Sequence, residues 1–166
     1  MAEFEWELVR AFNRFFEREK IEAIAYRLRQ ARFSAQHMDV LVDSRYPEYY
    51  LAIECKSLAA EGPLYFKQHF SCDQIERESR FIELSGRTGV LAVEFRGGRG
   101  RSKIAHLIPW SVVKDIRDSG MSCLGIETVE SYPEIPRIQG GYWLSHEIIS
   151  EVYNACRYRE DSENRG

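Results

Sequence analysis

The run from Asp39 to Ser57, DVLVDSRYPEYYLAIECKS, constrains this chain more than any other feature. Two apolar runs, Val40-Leu41-Val42 and Leu51-Ala52-Ile53, flank a short polar tract that contains Pro47. Branched residues bounded by such a tract read as two strands, over residues 35–43 and 49–57, joined by a turn at 44–48. Side chains alternate along a strand, so Glu54 and Lys56 share one face with Ala52, and Leu51, Ile53 and Cys55 share the other. If Asp43 pairs with Tyr50, Asp39 falls opposite Glu54, with β-carbons about 5 Å apart. Two carboxylates that close repel each other unless a hard divalent cation takes oxygen ligands from both. Lys56 then sits one step along the same face, placed to position a water or stabilise a developing anion. The competing reading is a strand edge kept wet by charged residues. Apolar strands, a short turn and charges at the strand ends favour the metal site.

The rest of the chain supplies covering elements. Phe4, Leu8, Ala11, Phe12 and Phe15 recur at helical spacing over residues 3–19. Residues 21–28 lean towards strand, 73–85 read as a helix ended by Gly86, and 90–95 and 104–108 read as strands. Residues 110–119 form a further helix closed by Gly120, 132–141 a loop, and Ser145 caps a last helix to about 158, before a frayed tail at 159–166. This order predicts an α/β fold with a central mixed sheet flanked by helices. At 166 residues the chain suits one domain over 1–158, with a core at about 3–110 and a helical extension at 111–158.

These motifs resemble the PD-(D/E)XK nuclease superfamily, and within it the archaeal Holliday-junction resolvase-like branch, over about residues 3–110. The resemblance lies in Glu7 of FEWELVRAF, Asp39 at a strand start, Glu54 and Lys56 of IECKS, Gln74 of DQIERESRFIEL, and the strand GVLAVEFR. Met38 stands where the name-giving motif has proline. The resemblance implies a restriction-endonuclease-like core and Mg²⁺- or Mn²⁺-dependent hydrolysis of DNA phosphodiesters. Asp39, Glu54 and the Cys55 carbonyl would be metal ligands, and Asp39, Glu54, Lys56, Gln74 and Glu7 the catalytic set. It further implies a homodimer acting on branched DNA. The alternatives are a non-catalytic nucleic-acid-binding protein of the same fold and a restriction-type sequence-specific endonuclease. From the residues alone, Glu7 reads equally well as a boundary glutamate pairing with Arg10 or Arg14. Gln74 lies on an inward arc, where it either orients a ligand or satisfies a core carbonyl.

Composition limits the partners. A net charge of −3 gives no overall basic footprint, so DNA contacts must be local. Two candidates stand out: Arg27, Arg29 and Arg32 in a stretch without acids, and the segment RGGRGRSK with Arg99, Arg101 and Lys103, whose glycines allow close approach to phosphate. They also read as a solvated strand face and a soluble hairpin tip. No apolar run is long enough to span a membrane. The start lacks secretory features. The 4 scattered cysteines form no C-x-x-C, and a reducing, cytoplasmic setting is expected. Ile148, Ile149, Val152 and Tyr153 of the last helix either form a dimer patch or cover the sheet.

Overall fold

The computed structural model describes residues 2–29 and 37–166. The chain opens with α1 (Ala2–Glu19), β1 (Ala23–Arg27), β2 (Val40–Ser44), a 3₁₀ turn (Pro47–Tyr49) and β3 (Leu51–Leu58). Next come β4 (Leu64–Tyr65), α2 (Phe66–His69), α3 (Gln74–Ser85), β5 (Thr88–Phe95), β6 (Ile104–Pro109) and α4 (Trp110–Asp118). The last part holds β7 (Cys123–Leu124), α5 (Ile126–Glu130), β8 (Glu134–Ile135), β9 (Arg137–Ile138), β10 (Gly141–Tyr142) and α6 (His146–Glu163). Among the described residues, six strands form one sheet in the order β1-β2-β3-β5-β6-β8. β3 and β5 run parallel and every other neighbouring pair antiparallel. The fold is therefore α/β with a mixed central sheet flanked by helices, as expected.

The period-2 pattern of the strands sorts their side chains between two layers. Val40, Val42, Leu51, Ile53, Cys55, Val90 and Ala92 pack with Phe4, Leu8, Phe12 and Phe15 of α1 and Ile149 and Val152 of α6. On the opposite face, Leu91, Val93 and Phe95 pack with Phe66, Phe70, Ile75 and Trp110, while Leu41 and Ala52 pack with Met38, Phe81 and Ile82. α6 therefore covers the sheet, with Ile149 and Val152 buried there. The parallel β3–β5 pair needs a crossover, and α3 supplies it. Gly86 (φ 70°) ends α3 in the left-handed region that suits glycine. Among the described residues no helix is long and apolar enough to cross a membrane.

Two expectations change. α6 continues to Glu163 and is not frayed from 159; an ion pair between Arg159 and Asp115 of α4 fastens its last turns. The stretch 132–141 is not a plain loop. β8 extends the sheet beside β6, and β9–β10 form a small hairpin. Two-residue strands carry no periodicity of their own, and tertiary bonds fix these. The Tyr142 hydroxyl donates to Glu94 at 2.7 Å, and Ser57 Oγ donates to the other Glu94 oxygen at 2.7 Å. Arg137 ties the hairpin to Glu7 of α1 at 2.5 Å.

The outer edge of β1 is closed by one side chain. Asn13 Nδ2 donates to the Ala25 carbonyl at 2.9 Å, and the Ala25 amide donates to Asn13 Oδ1 at 2.9 Å. The amide of Asn13 thus replaces a neighbouring strand on an edge that would otherwise invite intermolecular pairing. Asn13→Ala is expected to lower stability by about 1–3 kcal/mol, as both Ala25 groups lose their partners. Urea unfolding should report it as a lower midpoint at unchanged slope, and an unchanged midpoint would contradict it.

Candidate active site

β2 and β3 pair in the register Val40↔Ile53, Leu41↔Ala52 and Val42↔Leu51. One more step of that register sets Asp39 across from Glu54, the pairing expected from the sequence. Asp39 leaves the regular ladder, yet both strands beside it hold it. Its amide donates to the Ile53 carbonyl at 3.1 Å, and its carbonyl accepts from Leu28 at 2.9 Å. Its Oδ2 accepts the Cys55 amide at 2.8 Å. The Cys55 thiol turns into the α1-side core, where burial and then the charges of Asp39 and Glu54 push its pKa up.

Glu54 and Lys56 point to the α3 side and are 3% and 6% exposed. Lys56 Nζ donates to Glu54 Oε1 at 2.6 Å and lies 4.6 Å from the centre of the Phe70 ring. Gln74 opens α3 and donates through Nε2 to the same Glu54 oxygen at 2.7 Å and to Glu78 Oε1 at 2.8 Å. Its own Oε1 accepts the Ser71 amide at 3.1 Å, which fixes the orientation of the amide. Gln74 therefore orients a carboxylate and does not serve a core carbonyl.

Glu78 is the residue sequence reasoning missed. It lies one turn after Gln74, is 1% exposed, and among the described residues its buried Oε2 has no hydrogen-bond partner. Burial first and the charge of Glu54 second push its carboxyl up to about 10, so it holds its proton at neutral pH. The available signal was an acid four residues from Gln74, on the same helix face. Asp39 is raised to about 7, by burial and then by Glu54, with the Cys55 amide pulling the other way.

α1 supplies its acid from another position than expected. Glu7 accepts Lys103 at 3.1 Å and Arg137 at 2.5 Å. Burial alone would raise the Glu7 carboxyl, but these bonds hold it below its ordinary value. It acts as a clasp between α1, β9 and the residue before β6, not as a member of the carboxylate cluster. Glu5 is the α1 acid that reaches the cluster: it is 5% exposed, bonds Arg27, and its charge acts on both Asp39 and Cys55. Two residues along a helix are about 200° apart, so only one of the two can face β1.

The basic residues divide likewise. Arg27 is engaged by Glu5, and Lys103 by Glu7 and, at 3.5 Å, by Glu3. Arg29, Arg99 and Arg101 are exposed, while Arg32 lies outside the described residues. Among the described residues no three His, Cys, Asp or Glu side chains converge as an ion cage. The donors available to a cation are the carboxylates of Asp39 and Glu54 with nearby backbone oxygen. This all-oxygen set, one member of which resists ionisation beside the other, fits a hard divalent ion.

No family model matches the chain, and no curated protein does. Among solved structures it is similar to Hjc, a Holliday junction resolvase from the archaeal hyperthermophile Archaeoglobus fulgidus, at 18% identity. The match covers 89% of this chain and 98% of that one, with a TM-score of 0.43.

The raised carboxyls make a pH prediction. The unfolded chain ionises Asp39 and Glu78 in the ordinary carboxylate range, while the folded chain keeps their protons to about 7 and about 10. Their contribution is thus complete in acid and lost as pH rises through those values. Asp39→Asn should flatten the decline up to about 7 and melt at pH 8 no lower than the wild type, and Glu78→Gln should flatten the decline towards 10. Thermal melting from pH 4 to 10 tests this. A strongly destabilised Asp39→Asn at pH 8 would mark that carboxylate as structural.

Proposed function

We propose that the chain is a divalent-metal-dependent endonuclease that hydrolyses DNA phosphodiester bonds. One observation supports this above the others: Glu54, nearly sealed from water, is gripped at a single oxygen by Lys56 and Gln74, with Asp39 opposite it across the hairpin. Asp39 and Glu54 would hold Mg²⁺ or Mn²⁺. In an extended strand a residue's N–H and C=O leave on the same side, so the Cys55 carbonyl would join them from the side where its amide meets Asp39. Such an ion, when bound, lowers the pKa of a ligated water and offsets charge on the phosphate.

The side chains divide the remaining work. Gln74 and Lys56 keep the Glu54 carboxylate aimed across the hairpin. Lys56 carries two further N–H bonds beyond the one given to Glu54, and these serve a phosphate oxygen or the attacking water. Glu78 stays protonated behind Gln74, where a third negative charge would oppose the first two. A purely binding protein has no need of a lysine buried against a carboxylate and an aromatic ring, which favours catalysis over the scaffold alternative. Branched DNA as substrate and a homodimeric enzyme are the finer form of the proposal, and the motif resemblance supports them. Cys55, Cys72, Cys123 and Cys156 are all free thiols, which supports a reducing compartment such as the cytoplasm.

The test is cleavage of four-way junction, flap, single-stranded and duplex DNA with Mg²⁺, Mn²⁺ or a chelator. Glu54→Gln, which preserves side-chain shape, and Lys56→Gln, which is one atom shorter and uncharged, are expected to cut about 100-fold more slowly or worse. Their DNA affinity should stay within a few-fold, because each acts at most on the one phosphate under attack and not on the backbone to either side of it. Undiminished cleavage by either variant, or by the wild type in chelator, would contradict the assignment.

A further inference from the structure

We propose that the exposed face of α1 carrying Trp6, Arg10 and Arg14 is a docking track for the sugar-phosphate backbone of the nucleic acid; this rests on the nuclease assignment above and adds to it the surface that holds the substrate. Trp6, Val9, Arg10, Asn13, Arg14 and Glu17 line an open groove of about 420 Å³ along this helix. Arg10 and Arg14 are four residues apart and project from one face. Among the described residues neither makes an ion pair or a side-chain hydrogen bond, whereas the neighbouring cations are committed: Arg18 to Glu19 and the Leu144 carbonyl, Arg27 to Glu5, Lys103 to Glu7. The acids of α1 leave these two arginines unneutralised. Glu3 is drawn to Lys103, Glu5 to Arg27 and Glu7 to Arg137, and Glu17, at the far end of the groove, pairs with neither arginine.

One end of the groove, at Trp6, lies beside residues that reach the candidate active site. Trp6 follows Glu5, whose charge acts on Asp39, and Arg27, bonded to Glu5, stands 5.7 Å from the Trp6 ring. Trp6 is 42% exposed, a large aromatic left in water beside cations. A backbone with regularly spaced phosphates and flat bases suits that pairing: arginines take phosphates, and an indole face takes a sugar or an unstacked base. From Trp6 to Arg14 the helix rises about 12 Å, at about 1.5 Å per residue. Projected on a duplex axis, that span equals roughly three to four nucleotide steps of one strand, and fewer along the backbone itself.

Fluorescence anisotropy of labelled duplex and four-way junction DNA, with Ca²⁺ in place of Mg²⁺ and across a salt series, tests the track on the full chain. Arg10→Gln with Arg14→Gln should lower the log–log salt slope by about 1.8, two phosphate contacts at about 0.9 each. Both side chains border solvent, so the melting temperature should stay within a few degrees, and the single Arg14→Gln variant should give about half the change in slope. Trp6→Phe should remove most of the DNA-induced change in tryptophan fluorescence, because Trp110 is buried and Trp143, though exposed, lies against Arg18 and outside the groove. If the wild type binds DNA and the double variant keeps its slope, the track is wrong and the nuclease assignment stands. If the wild type binds no DNA at all, both fall. If the double variant instead loses self-association seen by light scattering while its DNA slope is unchanged, the face holds a second copy of the chain, and the proposal is overturned.

Discussion

Two carboxylates held across a hairpin, where the start of β2 meets the middle of β3 and water is largely excluded, set the terms for the rest of the molecule. Burial first and the charge of Glu54 second raise the Asp39 carboxyl to about 7, so the two acids do not both ionise there at low cost. The surrounding contacts answer that tension. The Cys55 amide favours ionised Asp39, and Lys56 and Gln74 give Glu54 two donors on one oxygen. Behind them Glu78 keeps its proton. A protein selected only for stability would gain from replacing such a cluster with packed apolar side chains. Such a cluster in a dry location is what marks it as a candidate functional site.

The fold brings this about by crossing a parallel strand pair. β3 and β5 lie side by side in parallel, so the chain must travel back, and α3 makes the return over the face that carries Glu54 and Lys56. Gln74 at the first turn of α3 and Glu78 at the second therefore land on the site as a consequence of topology. Phe70, just before α3, closes over the Lys56 ammonium from the same direction. On the opposite face, α1 packs its phenylalanine stripe on the sheet and presents Glu5 at the strand ends. Asn13, further along the same helix, closes the open edge of β1.

The sequence made some of this legible for identifiable reasons. Asp39 and Glu54 could be paired because period-2 alternation and a turn of fixed length leave few registers that keep Leu51 and Ile53 buried with Val40 and Val42. Gln74 could be placed because a polar amide on an inward helical arc needs a partner. Glu5 and Glu7 could not be told apart: both flank a wide apolar stripe, and only the docking of α1 on β1 decides which faces Asp39. Glu78 was hidden because an acid in the run ERES resembles a solvated helix face until α3 is docked. β8, β9 and β10 were invisible because their register comes from Glu94, Glu7 and β6, all distant in sequence.

The central claim is that Asp39 and Glu54 together bind one divalent cation. The most direct measurement is a Mn²⁺ titration followed by electron paramagnetic resonance, which reads free ion by its signal, on the wild type and on Asp39→Asn. The account predicts one saturable site per chain in the wild type and loss of most of that binding in the variant. Equal Mn²⁺ binding by the two proteins, or none by the wild type, would contradict it.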